Sequence, residues 1–245
     1  MLQKFLINLF SSNKLNNYIF NYEFMSINIP PKKFRHIVIF TGGTFPLPKF
    51  CKYFFKNHVN PDFIIAADSG LEVLDLFNDY YKKNIFLPDV ILGDMDSLKN
   101  KNLLKKYKDF SKCQIEKFNP YKDFSDTELA LKKAESLGAD FTVLIGGSGG
   151  RLDHLLGVLE LFKGKNAPDL WLAEENAVCF IDAEKRPRIE VDALPENAPV
   201  SVFPVFPGQR ADKCAKYVCK SQNLVWPLDN LDWNGGSVSL SNRRT

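Results

Sequence analysis

Two carboxylates one residue apart, Asp94 and Asp96, close the stretch Pro88-Asp89-Val90-Ile91-Leu92-Gly93-Asp94-Met95-Asp96-Ser97. The apolar run before them reads as a buried strand. Residues two apart on an extended chain point the same way, so Asp94 and Asp96 converge if the backbone stays extended past Gly93. Converging carboxylates repel, which raises a pKa unless a cation relieves it. A hard divalent ion is the usual relief at the carboxyl end of a parallel strand. An Asp-rich turn with Ser97 as a helix N-cap would need no such chemistry, and this stretch alone leaves both readings open.

Three other stretches carry groups of the same kind. Asp68-Ser69-Gly70 follows the apolar run 63–67. Asp123 and Asp126 flank a helix start, since Ser125 and Glu128 form a capping-box pattern; acids there also complement the helix dipole, which is sufficient reason for either alone. The turn Gly146-Gly147-Ser148-Gly149-Gly150 leads into Arg151, Asp153 and His154. Glycines let backbone N–H groups approach a phosphate, a helix start favours anions, and Arg151 offers a bidentate fork. The turn matches neither the Walker nor the dinucleotide pattern, and a lone histidine beside a leucine run is more often packed than catalytic.

The elements that must position these groups alternate. Strands are predicted at 36–40, 63–67, 90–92, 114–118 and 141–145, with helices over 46–58, after Gly70, after Ser97, from Asp126 to a stop at Gly138, and from Leu152 through Phe162. The lysines at 99, 101, 105, 106 and 108 form a solvated face, with Leu98, Leu104 and Tyr107 inward. Such alternation implies a parallel sheet with helices on its faces, and every acid named above falls in a loop at the strands' carboxyl ends. From 170 onward the chain reads as short strands without helices, at 170–173, 178–181, 188–191, 200–205, 217–218, 224–226 and 238–240, with turns at Asn176, Pro207-Gly208 and Asn234-Gly235-Gly236. The expected fold class is therefore α/β: an N-terminal α/β domain over 34–165, followed by an all-β sandwich domain over 169–245.

The chain of 245 residues is long enough to bury a proper core. A net charge of +3 gives no reason to expect a nucleic-acid partner, and no apolar run is long enough to span a bilayer. Five cysteines at irregular spacing argue against a disulfide framework and for a reducing compartment, here the cytoplasm. Residues 1–33 are expected to form a poorly ordered arm, and Met25 is a candidate physiological start.

In order and spacing, Ala67-Asp68-Ser69-Gly70, Gly93-Asp94-Met95-Asp96-Ser97, Ser125-Asp126-Thr127-Glu128-Leu129-Ala130 and Gly149-Gly150-Arg151-Leu152-Asp153-His154 together resemble the thiamine pyrophosphokinase family. Asn223-Leu224-Val225-Trp226-Pro227-Leu228 and Ser239-Leu240-Ser241-Asn242 are similar to that family's substrate-side segments, so the resemblance spans about 34–242. It implies transfer of a diphosphoryl group from ATP to the hydroxyl of thiamine, and a homodimer with its active site between subunits. It assigns Asp94, Asp96, Asp126 and Arg151 to catalysis, and Asp94, Asp96, Asp123 and Asp126 to magnesium, with Asp68 nearby. ATP and its phosphates would meet Asp68, Ser97, Thr127, Gly149, Gly150, Arg151, Asp153 and His154; thiamine would meet Trp226, Ser241 and Asn242. Without the resemblance, Trp226 reads as a core tryptophan.

The family continues through further β-structure after its Ser-Asn segment, whereas this sequence stops at Thr245, so an incomplete sandwich with an open strand edge is expected. Three other activities use the same features. A diphosphokinase acting on a pterin alcohol would need the same metal and phosphate motifs. A phosphohydrolase with Asp94 as nucleophile would place its paired Asp after the first strand rather than the third. A non-catalytic thiamine or nucleotide binder would bind without turnover.

Overall fold

Apolar runs that are buried on both faces can pair in parallel only if crossovers return the chain to the same edge, and the chain alternates accordingly. In the computed structural model, residues 4–10, 26–27, 35–51, 61–83, 85–111, 113–121, 123–182, 187–192, 198–205, 218–233 and 237–245 are described. The strands are β1 (Lys4–Phe10), β2 (Ser26–Ile27), β3 (His36–Thr41), β4 (Phe63–Ala67), β5 (Val90–Gly93), β6 (Gln114–Lys117), β7 (Phe141–Ile145), β8 (Leu170–Ala173), β9 (Asn176–Asp182), β10 (Val191–Asp192), β11 (Val200–Pro204) and β12 (Ser239–Asn242). The helices are α1 (Gly70–Tyr81), α2 (Asn102–Ser111), α3 (Asp126–Ser136) and α4 (Leu152–Leu161).

One sheet runs β12-β11-β1-β9-β8-β7-β3-β4-β5-β6, and a separate pair joins β10 to β2. From β8 to β6 every neighbouring pair is parallel. The chain progresses outward from β3 through β4 and β5 to β6, then crosses back to β7 on the other side of β3. That reversal makes the carboxyl ends of β3 and β7 the switch point, where open α/β sheets form their ligand crevice.

Alternate residues of each central strand feed opposite faces. Val38, Phe40, Ile64 and Ala66 pack with Leu71, Leu74 and Phe77 of α1 and Tyr107 of α2. Ile37, Ile39, Ile65 and Ala67 pack with Ala130, Leu131 and Ala134 of α3 and Val158 of α4. The result is a helix–sheet–helix sandwich. Phe40 and Phe77 have no exposed surface and meet edge-on at 5.5 Å; each side chain contributes roughly 1.5–3 kcal/mol through burial alone.

The α/β class is as expected, and the described structure corrects several details. β8, expected to open the all-β part, pairs parallel with β7 and completes the parallel sheet. The antiparallel strands continue that same sheet: β9 reverses against β8, and β11 and β12 follow. In the arm expected to be disordered, Lys4–Phe10 forms β1, hydrogen-bonded between β9 and β11, because each of those strands otherwise presents an unpaired edge. The lysine-rich helix starts at Asn102 rather than after Ser97, where the Asn102 N–H donates to Asn100 Oδ1 at 3.2 Å. In α4 the buried stripe is Val158 with Phe162 beyond its end, while Leu152, Leu156 and Leu159 are exposed, so this helix is not buried all round. The outer part of the 46–58 helix, Pro207-Gly208, Tyr217 and the 234–236 turn lie outside the described residues. Among the described residues no helix is long and apolar enough to cross a membrane.

Removing residues 1–24 withdraws β1 and opens the facing edges of β9 and β11. The shortened protein is expected to melt several degrees lower and to aggregate on heating, by differential scanning fluorimetry and light scattering; an unchanged transition would mean that β1 carries no load.

Candidate functional site

The acids converge where β4 and β5 end. Asp68 follows β4 directly, in a left-handed conformation (φ 47°) that an aspartate tolerates better than most residues, and its N–H donates to Leu92 O at 2.8 Å. The tip of β4 is thereby tied to β5. Asp94 follows β5, and Asp126 opens α3, whose N-cap Ser125 accepts from the Glu128 N–H at 3.2 Å, as its capping-box pattern predicts. Carboxylate oxygens of Asp68, Asp94 and Asp126 all lie within 4.8 Å of one another.

Gly93 makes that approach possible. It sits at φ 138°, and a Cβ there would stand 3.0 Å from Asp126 Oδ1 and 3.1 Å from the Asp68 Cβ. Any side chain at 93 would fill the space between the carboxylates.

Asp96 and Asp123 are not in this trio. Convergence of Asp94 with Asp96 required an extended chain, and Met95 instead adopts φ 64°, which sends its own side chain into the core and leaves Asp96 exposed. Asp96 N–H donates to Asp94 Oδ1 at 3.1 Å, so it orients its neighbour instead. Asp123 is exposed ahead of the α3 cap.

Burial pushes the Asp68 carboxyl above its ordinary pKa; hydrogen bonds from Ser97 and the Ser69 N–H oppose this, and the charges of Asp126 and Asp94 add to it. Its Oδ1 is buried without a hydrogen-bond partner. A buried, unsatisfied acceptor inside a like-charged group is costly unless a cation completes it. A hard divalent ion fits the donor set: oxygen ligands only, three carboxylates, and a gap kept clear by a glycine.

Beside the trio lies the glycine turn. Thr41 Oγ1 and Thr127 Oγ1 are 2.7 Å apart, joining the end of β3 to the residue after Asp126. Gly147 N–H donates to Gly42 O at 2.8 Å, and Thr44 bridges Ser148 through its N–H to Ser148 O at 2.6 Å and the Ser148 hydroxyl to Thr44 O at 2.9 Å. Trp171 of β8 pins the turn by donating from Nε1 to Gly146 O at 2.6 Å. At Gly149 a Cβ would lie 1.9 Å from Thr44 Oγ1, so only glycine fits that contact.

Gly150, Arg151, Asp153 and His154 are exposed at the start of α4. Arg151 grips Asp153 in a two-point contact, Nε to Oδ1 at 3.1 Å and Nη2 to Oδ2 at 2.5 Å, which holds the Asp153 carboxyl below its ordinary pKa. Sequence spacing suggested the fork of Arg151 but not this partner. Thr41, Gly93 and Trp171 were also missed: their contributions lie in contacts between strand ends, which no local motif encodes.

On the antiparallel side, Trp226 is 54% exposed, contrary to a core tryptophan. Ser241 is exposed at φ 52°, with its N–H donating to Ser201 Oγ at 3.1 Å, whereas Asn242 is completely buried.

Fold and site together define a doubly wound α/β protein with an acidic cation-type cluster beside a glycine turn at the switch point. The family model described as "Thiamin pyrophosphokinase, catalytic domain" matches residues 55–171, the segment that holds all three acids and the glycine turn. A thiamin pyrophosphokinase structure from Geobacillus thermodenitrificans is 28% identical, covering 56% of this chain and 59% of its own, with a TM-score of 0.44. The yeast enzyme is 19% identical over 59% of this chain and 60% of its own, with a TM-score of 0.44. A Bacillus subtilis structure is 18% identical over 86% and 90%, with a TM-score of 0.48. This chain thus spans about three-fifths of the first two structures. A comparison with curated proteins gives no match.

Because Asp68 has a raised pKa in the fold, its ionisation opposes folding above that pKa, and the penalty is relieved as pH falls through it. Asp68→Asn is therefore expected to raise the metal-free Tm at neutral pH. The same substitution should abolish the additional stabilisation by magnesium or manganese. A melt with and without the cation checks both, and a variant still stabilised by the cation would remove Asp68 from the site.

Proposed function

We propose that the protein is a thiamine diphosphokinase, transferring the diphosphoryl group of ATP to the hydroxyl of thiamine with release of AMP. The observation that carries this reading is the convergence of Asp68, Asp94 and Asp126 within 4.8 Å, inside the segment that matches the family's catalytic domain. In this reaction the anhydride bond between the α- and β-phosphoryl groups breaks, a bond forms between the thiamine hydroxyl oxygen and the β-phosphorus, and the hydroxyl proton leaves to solvent. The chain's contribution is placement and charge, since phosphoryl transfer asks for little covalent chemistry from protein groups.

Asp68, Asp94 and Asp126 would hold magnesium, which when bound neutralises the triphosphate and orients it. Asp96 and Asp123 would support that group from its exposed side, Asp96 by fixing Asp94 through its N–H. Gly149, Gly150 and Thr127 would line the phosphate path with Ser97, Asp153 and His154 at its edge. Arg151 would exchange Asp153 for phosphate oxygens, a swap open to an exposed guanidinium. Trp226 would present its ring to the cationic acceptor, with Ser241 beside it, since an aromatic face attracts delocalised positive charge. A second copy would complete the acceptor side, and the exposed Leu152, Leu156 and Leu159 are compatible with burial in such a dimer.

Incubation with ATP, magnesium and thiamine should yield thiamine diphosphate and AMP in equal amounts. ADP with thiamine monophosphate would contradict diphosphoryl transfer, turnover only with a pterin alcohol would reassign the acceptor, and binding of both substrates without AMP would identify a non-catalytic binder. Asp94→Asn should lower turnover by about 100-fold or more, and Asp96→Asn by less, measured as AMP release; the reverse ranking would place Asp96 nearer the reacting phosphates.

A further inference from the structure

We infer that Asn242 is a positioning residue that clamps the backbone of Trp226, and that it makes no contact with the acceptor itself. Its carboxamide has two acceptor positions and two donor hydrogens. Oδ1 accepts from the Trp226 N–H at 3.1 Å and from the Arg243 N–H at 2.9 Å; Nδ2 donates to Trp226 O at 2.6 Å and to Ser239 Oγ at 3.4 Å. All four places are filled from within the chain. The side chain has no exposed surface, so it offers a ligand neither a free polar atom nor a path to one.

The same contacts show what the residue does. Both backbone polar groups of Trp226 are taken by one side chain, at the point where the backbone pairing of 223–225 with 243–245 gives way to a side-chain contact. The neighbouring residues reinforce the clamp: Val225 N–H donates to Arg243 O at 2.8 Å, Thr245 N–H donates to Asn223 O at 3.1 Å, and Leu224 bridges Arg244. Asn242 is itself anchored at the end of β12 opposite Val200 of β11. The backbone of Trp226 is thus fixed to the sheet while its indole stands more than half in solvent. A ring held this way has lost its backbone freedom before any ligand arrives, which lowers the entropy cost of stacking. That the ligand is thiamine rests on the proposed function; the clamp does not.

The test has arms of both kinds. Of the three tryptophans, Trp171 and Trp233 are buried at 3% and 2% exposure, so acrylamide-accessible fluorescence reports on Trp226. In the unsubstituted protein the Trp226 amide should exchange with deuterium slowly despite the exposed side chain; exchange at the rate of an open loop would overturn the clamp without need of a variant. In Asn242→Ala and in the near-isosteric Asn242→Asp, which cannot donate to Trp226 O when ionised, the anisotropy of the accessible fluorescence should fall. The KM for thiamine should rise about tenfold, the worth of one net hydrogen bond or slightly more, with the KM for ATP and kcat within twofold. Unchanged anisotropy with lost thiamine affinity would make Asn242 a direct ligand and overturn the assignment. If the unsubstituted protein does not turn over thiamine, the functional proposal fails, and anisotropy and exchange still decide the clamp.

Discussion

Mutual repulsion of Asp68, Asp94 and Asp126 is the constraint around which the parallel half of the sheet is arranged. Three carboxylates within 4.8 Å, with Oδ1 of Asp68 buried and unpartnered, would separate if they sat on free loops. Here each is held by an element whose position is set elsewhere: Asp68 by the hydrogen bond from its N–H to β5, Asp94 by the end of β5, and Asp126 by the capped start of α3. α3 is in turn pressed onto the sheet by Ala130, Leu131 and Ala134 against Ile37, Ile39, Ile65 and Leu92. Hydrophobic burial thus offsets a local electrostatic penalty, and the left-handed backbone at Asp68 and Met95 adds strain of the kind found at working sites.

The two sides of the molecule are connected through strand order. The acids and the glycine turn lie at the carboxyl ends of β3, β4, β5 and β7, while Trp226 depends on β12 through Asn242. Between them the sheet passes through β9, β1 and β11, so the N-terminal strand joins the Trp226 side to the parallel sheet.

Much of this was readable from residue types. Strand runs of Val, Ile and Leu, the Ser125–Glu128 cap, and the glycine turn before Arg151 each follow a local rule, and the structure has elements where those rules put them. What escaped was non-local. Asp94 and Asp96 looked paired because alternation assumes an extended chain, and the left-handed Met95 breaks it. Asp68 joins the trio because β4 neighbours β5, a fact of sheet order rather than of sequence spacing. Lys4–Phe10 looked like an arm because an apolar segment near an end announces no partner, and the hydrogen bonds of Asn242 join it to residues up to sixteen positions away. Leu152, Leu156 and Leu159 matched helical spacing but cover a face that points outward.

The proposed function depends on the acidic trio binding a cation. Crystals grown with manganese and a non-hydrolysable ATP analogue, measured for anomalous scattering at the manganese edge, test it most directly. The predicted result is a peak within coordination distance of Asp68, Asp94 and Asp126 together. A peak centred on Asp96 and Asp123 with the trio unliganded, or nucleotide bound with no peak beside the trio, would contradict it.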